Sequence, residues 1–302
     1  MRDIWLEEVA KAASIDPSIV LISADLGYGV FESFESHFPK QFLNCGVAEQ
    51  NMAGIAAGMA LVGRKVFCYS IGNFSTIRCL EQIRNDVCYH NLDVCFVAVG
   101  AGFGYGALGM SHHLTEDLPI MRSIPRLRTY IPHSNETCRQ IVRRILNSSG
   151  PTYLRLERGS GGVPENAITD YENPTSFDPA DILVVASGGI VHEAIRLQQM
   201  LNQFSKPATV TSIQSFEDID LPRLRLGVEK ARYVLTLEEG VRTGGLGSFI
   251  AEIASEGDSR PKVFRFGLSS QFVSLVGDQT YLRGETGLSA EKIFEQLKGY
   301  IL

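Results

Sequence analysis

A single carboxylate, Glu49, stands in the run NCGVAEQNMAGIAAG (residues 44–58), where every other side chain is small, apolar, an amide or a thiol. Such a group has two uses. At the first turn of a helix it complements the positive end of the backbone dipole. In a water-poor pocket it favours sharing a proton with a partner base over ionising freely. The run alone leaves both open. Two glycine-rich stretches are candidates for phosphate chemistry. GAGFGYGALGMSHH (100–113) matches G-x-G-x-x-G only loosely, and Pro119 and Pro125 interrupt the helix that a dinucleotide fingerprint needs next. VRTGGLGS (241–248) has only Arg242 as a basic residue, so close packing of a helix on a strand is expected there, rather than a phosphate on a helix N-terminus. The sequence contains no G-x-x-x-x-G-K-[ST], H-E-x-x-H or G-x-S-x-G, and no C-x-x-C pair among its six cysteines.

The elements that must position these residues alternate. Apolar runs of strand length lie at 19–24, 65–70, 94–100 and 152–156, with helical periodicity at 4–14, 48–62, 74–90 and 134–148 between and around them. The stretch GSGGVPENAITDYENPTSFDP (159–179) is rich in turn residues and reads as a linker. Beyond it, strands are predicted at 181–189, 208–213, 233–240 and 262–267, and helices at 243–254 and 289–300. The pattern predicts an α/β protein of two doubly wound, mostly parallel sheets: residues 1–158, a linker 159–180, and 181–302.

A chain of 302 residues with 44% apolar and 21% charged side chains can bury two ordinary cores. Its net charge of −6 argues against nucleic acid or an anionic membrane as partner. The amphipathic, acid-bearing start MRDIWLEEVAKAA does not read as a signal peptide, and the cysteines read as buried thiols, so a cytoplasmic protein is expected.

Three ordered stretches resemble the transketolase family: SADLG (23–27), GVAEQNMAGIAAGMA (46–60) and GMSHHLTEDLPIMRSIP (109–125). The second stretch is also close to the 1-deoxyxylulose-5-phosphate synthases, and LEEGVRTGGLGS resembles the family's C-terminal domain. The resemblance implies a pyrimidine-binding domain followed by a transketolase C-terminal domain, with thiamine diphosphate as cofactor. No Gly-Asp-Gly…Asn-Asn signature for the diphosphate and Mg²⁺ is present. The expectation is therefore the C-terminal subunit of a split enzyme. A partner N-terminal subunit would bind diphosphate and Mg²⁺, in a heterotetramer of two copies of each chain.

The resemblance assigns roles by position. Glu49 matches the glutamate that shares a proton with N1′ of the aminopyrimidine, and Phe74 the aromatic that packs on that ring. Ile71 and Ile77 stand where further aromatics are common, making the pocket more aliphatic. His112 matches a histidine near the thiazolium, suited to proton transfer; His113 stands where glutamine is frequent. Arg155 and Arg158 match arginines that can reach a substrate phosphate. Leu108 and Ala107 replace acids, and Gly100 a histidine, of sugar-phosphate transketolases. Leu108 in particular removes a contact that reads the donor's hydroxyl groups. The expected activity is transfer of a two-carbon ketol unit between a ketose donor and an aldehyde acceptor, on a substrate other than a standard pentose phosphate. Kept alongside it are the β subunit of a 2-oxoacid dehydrogenase first component, a deoxyxylulose-phosphate-synthase-like acyloin synthase, and a non-catalytic regulatory subunit. The small residues Ala53, Gly54, Ala57, Gly58 and Ala60 suggest a helix closely approached by a neighbouring chain.

Overall fold

Continuous apolar runs become fully buried parallel strands. In a computed structural model, which describes residues 1–159 and 181–301, β1 (Ile19–Ser23), β3 (Lys65–Ile71), β4 (Val94–Val99) and β6 (Thr152–Leu156) form the middle of a six-stranded sheet. Its edges are two three-residue strands that the apolar pattern does not mark, β2 (Phe42–Asn44) and β5 (Arg128–Tyr130), giving the order β2-β1-β3-β4-β6-β5. All its pairings are parallel. A second, four-stranded parallel sheet has the order β10-β9-β7-β8, from β7 (Ile182–Ala186), β8 (Ala208–Ser212), β9 (Tyr233–Val241) and β10 (Lys262–Leu268). Parallel sheets need both faces covered. On one face of the first sheet, helices Arg2–Ala13 and Asn135–Leu146 pack Trp5, Val9, Ile141 and Ile145 over Leu21, Phe67 and Leu154. Buried Glu8 ties these two helices through Arg139 (2.5 Å) and Arg143 (2.7 Å).

One hydrophobic core runs between the sheets. It joins Ile22, Phe96, Leu118 and Met121 from the first half of the chain to Leu183, Ile213, Leu246 and Ile250 from the second. A buried polar cluster reinforces the junction. Glu239, at the end of β9, accepts from Phe103 N (2.6 Å) and Gln279 Nε2 (2.8 Å) and pairs with Arg283. A Cβ on Gly102 would meet that carboxylate at 2.4 Å, so glycine permits the approach. Glu157 accepts from Gly189 N (2.9 Å); burial, with Glu239 beside it, pushes its carboxyl group above the usual range.

The helix predicted over 243–254 is observed at Leu246–Glu256, and the turn before it is not a phosphate cradle. The Glu238 carboxylate already accepts the helix's first amides, Leu246 N (2.8 Å) and Gly247 N (2.9 Å), and a Cβ on Gly245 would collide with it. Positions 160–180, most of the predicted linker, lie outside the described residues.

Candidate active site

Glu49 is the first residue of helix Glu49–Leu61 and is 3% exposed. The helix buries Met52, Ala53, Ala56 and Ala57 against the sheet, which draws its N-terminus and Glu49 inward. Gly54 and Gly58 lie on the opposite, exposed side, with open space where a Cβ would be. Of the small residues expected at an inter-chain contact, Ala53 and Ala57 are therefore packed inside the domain, while the two glycines are free for a neighbour.

The segment predicted as one helix over 74–90 is broken. A four-residue helical turn, Gly72–Ser75, is followed by a 3₁₀ turn Ile77–Cys79 and a π-helical stretch Ile83–Cys88. The Thr76 hydroxyl donates to Gly72 O (2.6 Å), and Thr76 leaves helical geometry at φ −120°, ψ −85°. Local hydroxyl-to-backbone bonding thus competes with helix continuation. The break turns Ile77 and Arg78 outward over the end of the Glu49 helix. Arg78 Nη1 donates to Glu49 Oε2 at 2.7 Å, and its guanidinium lies over the Phe74 ring, 4.3 Å from the centroid. The His112 ring meets Phe74 edge-on at 5.3 Å, and Ser111 Oγ lies 3.0 Å from His112 Nδ1.

Phe74, Arg78 and Ser111 line a cleft of 580 Å³ between the two halves of the chain, with Glu49 and His112 behind them, in contact with Arg78 and Phe74. Phe74, Ile77, Arg78, Met110 and His113 line one side; Phe272 and Val273 line the other. His113 is buried with its ring edge-on to Phe103, and burial holds it below the usual histidine range. Two buried polar atoms of cleft residues, His113 Nε2 and Asn73 Oδ1, have no hydrogen-bond partner among the described residues. Orphaned buried acceptors or donors at a cleft call for a ligand or a second chain.

Of the predicted site residues, the fold brings together Glu49, Phe74, Ile77, His112 and His113. Ile71 is half-buried at the end of β3 and is not among the residues lining the cleft. Leu108 is 56% exposed on a 3₁₀ turn, Gly106–Leu108. Arg158 is exposed, with its guanidinium over the Tyr105 ring. Arg155 requires a correction. It is 3% exposed, and its guanidinium binds Asp117 (2.8 Å), Leu114 O (3.0 Å) and Glu239 O (3.3 Å), so it braces the domain junction instead of facing a substrate phosphate. Sequence reasoning missed Arg78, Asn73 and the Phe272–Val273 wall. Arg78 lies four residues after Phe74, but the helix breaks at Thr76 between them, so the helical i,i+4 rule does not account for their contact. Its carboxylate partner is 29 positions away and gives no local signal.

The model of the transketolase pyrimidine-binding domain matches residues 1–163, and that of the transketolase C-terminal domain residues 177–293. The chain belongs to the transketolase family. It is 30% identical over 301 residues to one subunit of the apulose-4-phosphate transketolase of Actinobacillus succinogenes, covering 98% of this chain and 96% of that one. It is likewise 30% identical to a 6-deoxy-6-sulfo-D-fructose transketolase subunit of a Clostridium species, over 97% of this chain and 92% of the other. A solved structure described as a split gene transketolase, inactive beta4 tetramer, superposes with a TM-score of 0.84 at 30% identity, covering 99% and 97% of the two chains. This transketolase-family chain is thus homologous over its length to proteins that are themselves single subunits of split transketolases. Among its described residues no helix is long and apolar enough to cross a membrane.

Proposed function

We propose that this chain is the C-terminal subunit of a two-chain, thiamine-diphosphate-dependent transketolase that transfers a two-carbon ketol unit from a ketose-type donor to an aldehyde acceptor. One observation carries the reading: a buried carboxylate, Glu49, is joined through Arg78 to a half-buried aromatic ring, Phe74, that lines a cleft between the two domains. The residues fit the cofactor's aminopyrimidine. A water-poor carboxyl group can hold a proton at a ring nitrogen, and a flat aromatic face orients the heterocycle at little entropic cost. Ile77 adds an apolar wall. When bound, thiamine diphosphate supplies the carbon–carbon bond chemistry.

The chain's own residues then have distinct tasks. Glu49 holds the proton shared with the pyrimidine. His112, beside Phe74 and half-exposed, can move protons to and from donor and acceptor hydroxyl groups. His113 and Asn73 offer unpartnered polar atoms to the substrate or the second chain. Arg158 remains the candidate for an anionic group on the substrate. Met110, Phe272 and Val273 give the cleft an apolar lining, and Leu108, two residues before Met110, is exposed where an acid is expected, which supports an unusual sugar over a pentose phosphate. The partner chain would hold the diphosphate and Mg²⁺, in an assembly of two copies of each chain; the exposed glycine face of helix Glu49–Leu61 suits such a contact. The six free thiols suit the reducing cytoplasm.

Co-purification from the native lysate tests the split. A stoichiometric partner bearing Gly-Asp-Gly…Asn-Asn, giving ketol transfer on reconstitution with thiamine diphosphate and Mg²⁺, is the expected result. Glu49→Gln should then lower turnover by about 10²–10⁴-fold. Pyruvate decarboxylation without ketol transfer would move the reading to the dehydrogenase or acyloin classes. A fully active Glu49→Gln complex would point to a non-catalytic role for this chain.

A further inference from the structure

Arg78 stands where the proposed reading needs something else to bind. Its Nη1 donates to Glu49 Oε2 at 2.7 Å, and its guanidinium lies 4.3 Å from the centroid of the Phe74 ring. Those are the two groups assigned above to the aminopyrimidine. The match is chemical as well as positional. A guanidinium is flat and delocalised, with N–H donors in its plane: it stacks on an aromatic face and meets a carboxylate edge-on. A protonated aminopyrimidine presents the same plane and the same in-plane donors. His112 lies against the edge of Phe74, the Glu49 side chain is 4% exposed, and Arg78 occupies the side of that carboxylate next to the Phe74 face.

We propose that Arg78 is an internal stand-in for the cofactor's pyrimidine: it closes the site in the cofactor-free chain and swings out when thiamine diphosphate binds. The inference rests on the function proposed above. Two features make such an exchange workable. First, a buried carboxylate without a counter-charge is costly, so the cofactor-free site needs a cation, and Arg78 provides one. Second, the Arg78 side chain is 45% exposed and sits on a segment of broken helix. An ion pair with one exposed partner is weak and is readily exchanged with solvent. The closed pair therefore lowers apparent cofactor affinity by the fraction of molecules in which it is open. If nine in ten are closed, removing the guanidinium tightens binding roughly tenfold.

The test is calorimetric titration of the assembled, cofactor-stripped two-chain enzyme with thiamine diphosphate and Mg²⁺, together with thermal melts with and without cofactor. Arg78→Met keeps the aliphatic stem and removes the cation; Arg78→Lys keeps the charge but cannot lie flat on the ring. The expected result for Arg78→Met is a Kd lowered about 5–10-fold, a lower melting temperature without cofactor, and a larger rise on cofactor binding. Arg78→Lys should fall between it and the unaltered protein. An unchanged or weakened affinity in Arg78→Met, with the unaltered enzyme binding normally, overturns the stand-in and leaves the thiamine-diphosphate reading in place. Failure of the unaltered assembly to bind thiamine diphosphate overturns that reading, and the stand-in with it.

Discussion

Replacing Arg155 by methionine separates a structural brace from a phosphate ligand. The Arg155 side chain is 2% exposed and that of Asp117 1%, and they meet at 2.8 Å. Tyr153 Oη donates to the same carboxylate oxygen at 2.6 Å. Methionine fills most of the arginine's apolar volume but leaves the Asp117 carboxylate buried with one neutral donor. Removing one partner of a buried pair costs about 3–5 kcal/mol. The carbonyls of Leu114 and Glu239 also lose a donor, which places Arg155→Met toward the upper end of that range. For a chain of this size each kcal/mol lowers the melting temperature by roughly 2–4 °C, so a loss on the order of 10 °C or more is expected. Arg155→Met/Asp117→Asn keeps an acceptor for Tyr153 while removing the stranded charge. It should be more stable than additivity allows by about 1–3 kcal/mol. Differential scanning calorimetry of the four proteins at neutral pH provides the cycle. A melting temperature within about 2 °C of the parent, with KM for a phosphorylated donor raised tenfold or more, would refute the brace and restore Arg155 as a phosphate ligand.

Three further outcomes follow from the geometry. Burial pushes the Glu238 carboxyl group up to about 7, against 4.5 in the unfolded chain; the native state then holds an extra proton between those values, and this group's contribution to stability, complete below the lower value, is lost as pH rises through the upper one, by on the order of 3 kcal/mol in all. Urea unfolding of Glu238→Gln from pH 5 to 8 should show a flatter profile than the parent, and parallel profiles would contradict the assignment. Leu108→Asp puts a hydrogen-bonding acid at this exposed position and should raise kcat/KM for a hydroxyl-bearing pentose phosphate donor about tenfold in the reconstituted enzyme, since a hydrogen bond to a charged group is worth about 1.5–3 kcal/mol; no gain would argue that Leu108 does not face the donor. Gly58 has open space where a Cβ would be, so Gly58→Trp should leave the melting temperature of the chain within a few degrees while weakening association between chains by about 100-fold or more in analytical ultracentrifugation. Unimpaired assembly would move the inter-chain contact to another face.

The strands are legible wherever a buried parallel strand must be apolar along its whole length, as in Ile19–Ser23, Val94–Val99 and Ile182–Ala186. The edge strands Phe42–Asn44 and Arg128–Tyr130 are not. Three residues at a sheet edge carry too little pattern to separate from loop. The helices over Asp117–Arg122, Leu221–Lys230 and Gln279–Glu285 escape the periodicity as well. They are short, and their first turns hold proline or polar residues that read as turn.

The sequence by itself determined the ordered motifs, and through them the family, the two α/β halves and the choice of Glu49, Phe74 and His112 as candidate site residues. These follow from residue type and order along the chain, which folding does not alter. Folding decided three things that the pattern of residue types does not show, two of them through contacts distant in sequence. It buried Arg155 at the domain junction, because its carboxylate and carbonyl partners come from elements 38 to 84 positions away. It broke the helical pattern after Phe74, because the Thr76 hydroxyl captures the Gly72 carbonyl. And it set Arg78 on Phe74 against Glu49, a contact across 29 residues that depends on that break. Periodicity reports which face of an element is apolar; it does not report which distant charge will meet that face once sheets and helices are packed.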